Sequence, residues 1–315
     1  MDIEIPQAIA ANGELTLRNV LGSILILLAS ATFAKAPVSF DPISMEPVRD
    51  RAHSATIEEL TFDSKGYKLT GLIYIANGPG PHPTVVLLHG FPGNEKNLDI
   101  AQAARRAGFN VMFFHYRGAW GSEGDYSLLQ VERDAQRALQ FLREPDNAAR
   151  YRVNPQKLSV LGHSLGGYVA LAAGSQDKKA ICVGAISPVN MALWRAGIVS
   201  RDPALQRVLD YSDTLFMLRG FNSTALRAQM NAVQADTVDT TLFGPGMRGK
   251  SVFMVVGDED GVTPADTMFK PVVEAYSRDN KIRLQSHIIS GDHSYSWSRL
   301  ALTRLVLDWL QKDCR

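Results

Sequence analysis

Lys157-Leu158-Ser159-Val160-Leu161-Gly162-His163-Ser164-Leu165-Gly166-Gly167 is the stretch that decides the fold. Its first five residues form a short, mostly apolar run that reads as a strand, and Leu165 to Ala173 reads as a helix. Between them stands Gly-x-Ser-x-Gly. Alone, that motif is a weak signal; set between a strand and a helix, it describes a sharp turn. Such a turn lifts the serine hydroxyl clear of a sheet and aims it at the helix N-terminus. Glycine is needed at 162 and 166 because a strained serine backbone leaves no room for neighbouring side chains. The plainer reading is a small-residue turn that only packs a helix on a strand.

Outward from this turn, the chain alternates short apolar runs with helical stretches. Ala55–Asp63 and Tyr67–Ile75 alternate polar and apolar residues around Asp63-Ser64-Lys65-Gly66, the pattern of an antiparallel hairpin. Further strands are expected at Thr84–Leu88, Val111–His115, Leu158–Leu161, Ala180–Ile186, Ser251–Val256 and Arg283–Ile289. Helices are expected at Leu98–Ala107, Leu128–Arg143, Leu165–Ala173, Phe269–Arg278 and Ser298–Gln311. Continuous apolar strands separated by crossovers predict an α/β fold whose mostly parallel central sheet carries helices on both faces. Pro188 to about Gly249 contains no convincing strand, so residues 188–249 are read as a helical cap inserted after the sixth sheet element.

Length and composition narrow the classes. The chain has 315 residues, 45% hydrophobic and 21% charged, which fits one α/β domain with an insertion. A net charge of +1, with no basic block, argues against nucleic acid or an anionic membrane as the main partner. Two cysteines exclude a disulfide scaffold and a cysteine-based zinc cluster. A bridge between Cys182, inside an apolar run, and Cys314, at the tail, is not expected, so the cysteines leave the compartment open. The stretch from Val20 to Ala34 is apolar, follows Arg18 and ends in small residues. It is short for a membrane span and matches a secretory signal cleaved near Ala31 or Ala34. Asp2, Glu4 and Glu14 ahead of it depart from that pattern. Either the true start lies after Met1, or the segment is an amphipathic helix belonging to the fold and the protein is cytoplasmic. The organisation expected is a signal segment at 1–36 and one domain at 37–315, periplasmic or secreted.

A serine hydroxyl is a poor nucleophile, so Ser164 needs a base, and the base needs an orienting carboxylate. In this order of elements both follow the serine. Of seven histidines, only His287 and His293 do so. His287 falls inside a strand, whereas Gly291-Asp292-His293 lies on the loop before the last helix, which makes His293 the base. The acid is expected in Gly257-Asp258-Glu259-Asp260-Gly261. Asp260 is favoured because it lies farthest along the loop, where Gly261 permits a turn back toward the histidine. Asp258 is the alternative, with a solvated or turn-capping role as its plainer reading. A calcium loop starting at Asp258 would need a glutamate where Phe269 stands, so that reading is rejected. Thr263-Pro264-Ala265-Asp266 reads as a helix cap. The oxyanion requires two backbone N–H donors, expected from Leu165 and from Phe91 in His89-Gly90-Phe91-Pro92-Gly93. His89, ahead of the serine, is read as a hydrogen-bonded loop anchor. His163, Trp120 and Trp194 are candidates to line a substrate pocket, although Trp120 could equally pack beneath the cap.

Together, His89-Gly90-Phe91-Pro92-Gly93, Tyr116-Arg117-Gly118, Gly162-His163-Ser164-Leu165-Gly166-Gly167, Gly257…Asp260 and Gly291-Asp292-His293 resemble the α/β-hydrolase superfamily over roughly Glu58 to Lys312. Val153-Asn154-Pro155 before the turn is similar to its dienelactone-hydrolase and prolyl-oligopeptidase side. Ser164 departs from the cysteine of the dienelactone hydrolases proper. The resemblance implies hydrolysis through an acyl-enzyme without a metal or organic cofactor. The expectation is a serine carboxylic-ester hydrolase acting on a small-molecule ester. Its alternative, an aminopeptidase or oligopeptidase, would need an acidic site for the substrate amine, for which Asp202, Asp210 and Asp213 are the candidates. Met191, Trp194, Ile198, Leu209, Phe216, Met217 and Phe221 give the cap an apolar character suited to an acyl or aromatic group, or to its own core.

Overall fold

The computed structural model describes residues 40–315. The signal segment expected at 1–36 therefore lies outside the described residues. The described chain opens with an antiparallel hairpin of β1 (Thr56–Ser64) and β2 (Tyr67–Ile75). Lys65 and Gly66 close it with φ of 55° and 85°, the backbone that a two-residue hairpin turn demands. Next come β3 (His82–Leu88), α1 (Leu98–Arg106), β4 (Asn110–Phe114), α2 (Val131–Arg143), α3 (Pro145–Arg150), β5 (Val153–His163), α4 (Leu165–Gln176) and β6 (Cys182–Ile186). A helical excursion follows, with α5 (Met191–Ser200), α6 (Pro203–Ser212), α7 (Ser223–Ala232), two 3₁₀ turns and α8 (Gly244–Met247). The chain then returns through β7 (Ser251–Gly257), α9 (Lys270–Ser277), β8 (Arg283–Ile289) and α10 (Arg299–Asp313).

The strands form one sheet in the order β1-β2-β4-β3-β5-β6-β7-β8, parallel from β4 onward and antiparallel at the hairpin edge. Period-two geometry sends alternate residues of each inner strand to opposite faces. Val86 and Leu88 pack with α2 and α4 residues such as Leu139 and Leu171, whereas Val85 and Leu87 pack with Ile100 of α1 and Val306 of α10. Burial on both faces explains why the inner strands are apolar throughout. β8 differs: at the edge with a single partner, it alternates exposed and half-buried residues rather than forming the continuous apolar run expected.

Three sequence expectations need correction. β5 begins at Val153, because Val153 already pairs with His82 across a register shift. The helix expected at Leu128–Arg143 is α2, which starts at Val131, and the short α3 that follows it was not expected. The two cysteines are bonded. α10 runs back across the sheet and brings Cys314 to a Cα separation of 5.9 Å from Cys182 at the start of β6, and both are buried. Apolar surroundings were read as a reason against the bridge; they are simply where it sits.

Candidate active site

β5 ends in Gly162-His163 and α4 begins at Leu165, so Ser164 alone makes the turn, with φ 59° and ψ −119°. That strain is held by close packing on both sides. A Cβ on Gly162 would stand 1.9 Å from the Gly166 carbonyl oxygen, and one on Gly166 would stand 2.1 Å from that of Leu88. Only glycine fits either position.

Ser164 Oγ lies 2.9 Å from His293 Nε2. On the far side of the ring, His293 Nδ1 lies 2.8 Å from Asp260 Oδ2 and 3.0 Å from Oδ1. The structure thus brings together the three residues singled out in the sequence, from the ends of β5, β7 and β8. Asp260 is buried. Burial alone would raise its carboxyl pKa. The hydrogen bond and charge of His293, with those from Thr263, outweigh this and hold the group well below the usual carboxylate range. Asp258 takes a different part: it is exposed, and its Oδ1 accepts the Gly291 N–H at 3.0 Å, linking the acid loop to the histidine loop.

The backbone N–H of Leu165 opens α4 beside the serine. The loop carrying Phe91 also runs against the serine, since a Cβ on Gly90 would lie 3.0 Å from Ser164 Cβ. His89 is buried, and its Nδ1–H donates to the Gly90 carbonyl at 2.7 Å, while Tyr116 Oη donates to the His89 carbonyl at 3.1 Å. Burial, opposed only in part by that bond, pushes the His89 imidazole down to about 4.

His163 needs correction as a pocket residue. It is buried beneath His293, with ring centroids 4.8 Å apart, and its Nε2–H donates to the His293 carbonyl at 2.7 Å. The side chain holds the histidine loop and presents no face to a substrate. Burial, then the neighbouring His293 charge, pushes it down to about 3. Trp120 is half-buried and spans two loops. Its Nε1–H donates to the Pro92 carbonyl at 2.8 Å and its backbone N–H to the Met217 carbonyl at 3.0 Å. A bridge of Ala119 with Leu218 continues that contact between the Gly118 loop and the excursion after β6. Trp194 is buried in an aromatic cluster whose centre is Phe91, with ring centroids at 5.7 Å for Phe221, 6.3 Å for Trp194 and Tyr126, and 6.4 Å for Tyr211. Phe91 and Tyr211 are its partly accessible members.

Sequence reasoning missed Thr263. Its hydroxyl donates to Asp260 Oδ2 at 2.7 Å, and no N–H of the following helical turn donates to it. The acid makes an Asx turn over the same residues, since Asp260 Oδ1 takes the N–H groups of Val262 and Thr263 at 2.9 and 2.8 Å.

Comparison with known proteins places the chain in a family. The protein YfhR of Escherichia coli O157:H7 is 33% identical over 130 residues, 39% of this chain and 44% of the relative. Esterase EstD of Thermotoga maritima is 30% identical over 138 residues, 39% of this chain and 32% of the relative. The matches therefore span less than half the length of these curated relatives. Among solved structures, the Pyrococcus furiosus esterase Pf2001 superposes with a TM-score of 0.61 at 16% identity, covering 86% of this chain and 97% of that one. The model of the alpha/beta hydrolase family matches residues 85–305, well over half of the sequence, and the chain belongs to that family.

Proposed function

We propose that this protein hydrolyses carboxylic esters through an acyl-enzyme formed on Ser164. The observation that carries the reading is the unbroken line of hydrogen bonds from Ser164 Oγ through His293 to buried Asp260. Ser164 attacks the ester carbonyl as its proton passes to His293 Nε2, and ionised Asp260 stabilises the imidazolium. The backbone N–H groups of Phe91 and Leu165 receive the developing oxyanion. His293 then returns the proton to the departing alcohol. Water repeats the sequence on the acyl-enzyme, releasing the carboxylic acid and restoring Ser164. The aromatic cluster around Phe91 supports an apolar or aromatic acyl group, and the name of EstD supports ester over amide. Asp202, Asp210 and Asp213 do not favour a peptidase. Asp202 caps α6, Asp210 accepts from Gln206, and Asp213 accepts the Ser223 N–H.

Ser164→Ala tests the reading on a chromogenic ester. The expected loss is on the order of 10⁴- to 10⁶-fold with the fold retained. A folded variant keeping more than a few per cent of the rate would refute it. We also propose export, supported by the apolar stretch from Val20 to Ala34 and by the Cys182–Cys314 bridge, since such bonds persist in oxidising compartments. Protein recovered from its native host should be short by about 31–34 residues by intact mass; a full-length chain contradicts this.

A further inference from the structure

Three hydroxyl groups that the proposed reaction does not use lie under the acid, and all three residues are fully buried: Thr263, Ser187 and Tyr295. Tyr295 Oη and Ser187 Oγ are 2.9 Å apart, joining the histidine loop to the end of β6. The Ser187 N–H donates to the Val255 carbonyl at 2.7 Å, which fixes the residue against β7. Thr263 Oγ1 stands 2.7 Å from Asp260 Oδ2 and 3.2 Å from the Ser187 carbonyl oxygen. A hydroxyl has one proton to give, and the nearer, charged oxygen receives the stronger bond.

The carboxylate of Asp260 is thereby held at every side. Oδ1 accepts the N–H groups of Val262 and Thr263, and Oδ2 accepts the Thr263 hydroxyl. His293 Nδ1 faces both oxygens. Without the hydroxyl, Oδ2 would have the histidine alone and a buried lone pair left unsatisfied. The carboxylate would then be fixed through Oδ1 and the ring alone, with its plane less tightly set at Oδ2.

We propose that Thr263 is a positioning residue that sets the plane and charge of Asp260 against His293. This rests on the reading of Asp260 as the acid of the reaction. Because Thr263 acts through the carboxylate, its removal should matter only while that carboxylate is present.

The test is a set of variants assayed on one chromogenic ester, with thermal melting to confirm folding. Thr263→Val keeps the shape and removes the donor, and should lower kcat about ten- to hundredfold with KM within about twofold. Thr263→Ser restores the donor and should recover most of that loss. In an Asp260→Asn background, Thr263→Val should cost less than about threefold more, the non-additivity expected of groups that act as a unit. Wild-type kcat in Thr263→Val, an equal loss in both backgrounds, or no recovery with serine overturns the proposal. Equal rates for wild type and Ser164→Ala overturn the reading of the site and this inference with it. A dead Ser164→Ala beside an unimpaired Thr263→Val overturns this inference alone.

Discussion

Asp258 and Asp260 stand two residues apart in one loop, and their surroundings set them opposite tasks. Asp260 is buried and faces the imidazole; Asp258 is exposed and braces Gly291. Asparagine at 260 keeps the shape but removes the charge that, in the proposed reaction, supports the imidazolium. It also turns one acceptor oxygen into an N–H group. Asp260→Asn should therefore lower kcat by roughly 10³- to 10⁴-fold with little change in KM, because transition-state stabilisation is what is lost. Asp258→Asn keeps an oxygen able to accept the Gly291 N–H and should cost less than about tenfold, with stability within about 1 kcal/mol. Steady-state kinetics of both variants decide the matter, and a crippled Asp258→Asn beside a mild Asp260→Asn would reverse the assignment. Ser164 and His293 were legible because few residues fit the required order; only two histidines follow the serine. Thr263 was not, because the same residue before Pro264 reads equally well as a helix cap, and the inward turn of His163 was not, because it depends on where the loop after β8 comes to rest.

At the level of elements, legibility followed burial. β3, β4, β6 and β7 are enclosed on both faces, and their apolar runs stand out in the sequence. The first half of β5 contains Pro155 and mostly exposed residues, so neither alternation nor an apolar run marks it. α3 buries none of its residues and has no periodicity to read. The hardest feature was the bond between β6 and α10, which depends on the path of the last helix across 132 residues of chain. A bridge closing so long a loop restricts the unfolded chain strongly, by about 5 kcal/mol on chain entropy alone. Engineered and natural bridges usually deliver less, typically about 2–4 kcal/mol. Reduction, or Cys182→Ser with Cys314→Ser, should lower the urea midpoint accordingly while ester hydrolysis survives in the folded protein. An unchanged midpoint would mean that the bridge contributes nothing to stability.

The molecule as a whole should be sensitive to mild acid, through histidines set around the site and kept from charging. Burial is the chief cause for each. It pushes His89 down to about 4 and His163 to about 3, and it pushes His115 to about 3 with help from the nearby His89 and Lys96 charges. Unfolding releases all three to the ordinary histidine value of 6.5. Between that value and the folded ones, the unfolded chain binds protons that the native state refuses. Stability therefore rises with pH across this window and is lost as pH falls through it. Each fully differing proton contributes about 1.4 kcal/mol per pH unit, so three set a limiting slope of about 4 kcal/mol per unit near the middle of the window. The contribution is complete above pH 6.5 and fades toward the folded values. Urea midpoints measured at steps from pH 7.5 to 4.5 should stay level at first and then drop steeply below about pH 6. His163→Asn removes one titrating ring while leaving a side-chain amide to reach the His293 carbonyl. It should make that drop shallower by about a third of the three-histidine slope, even if its stability at pH 7.5 is lower. A midpoint that stays flat down to pH 4.5 would show that the three imidazoles charge freely in the native protein.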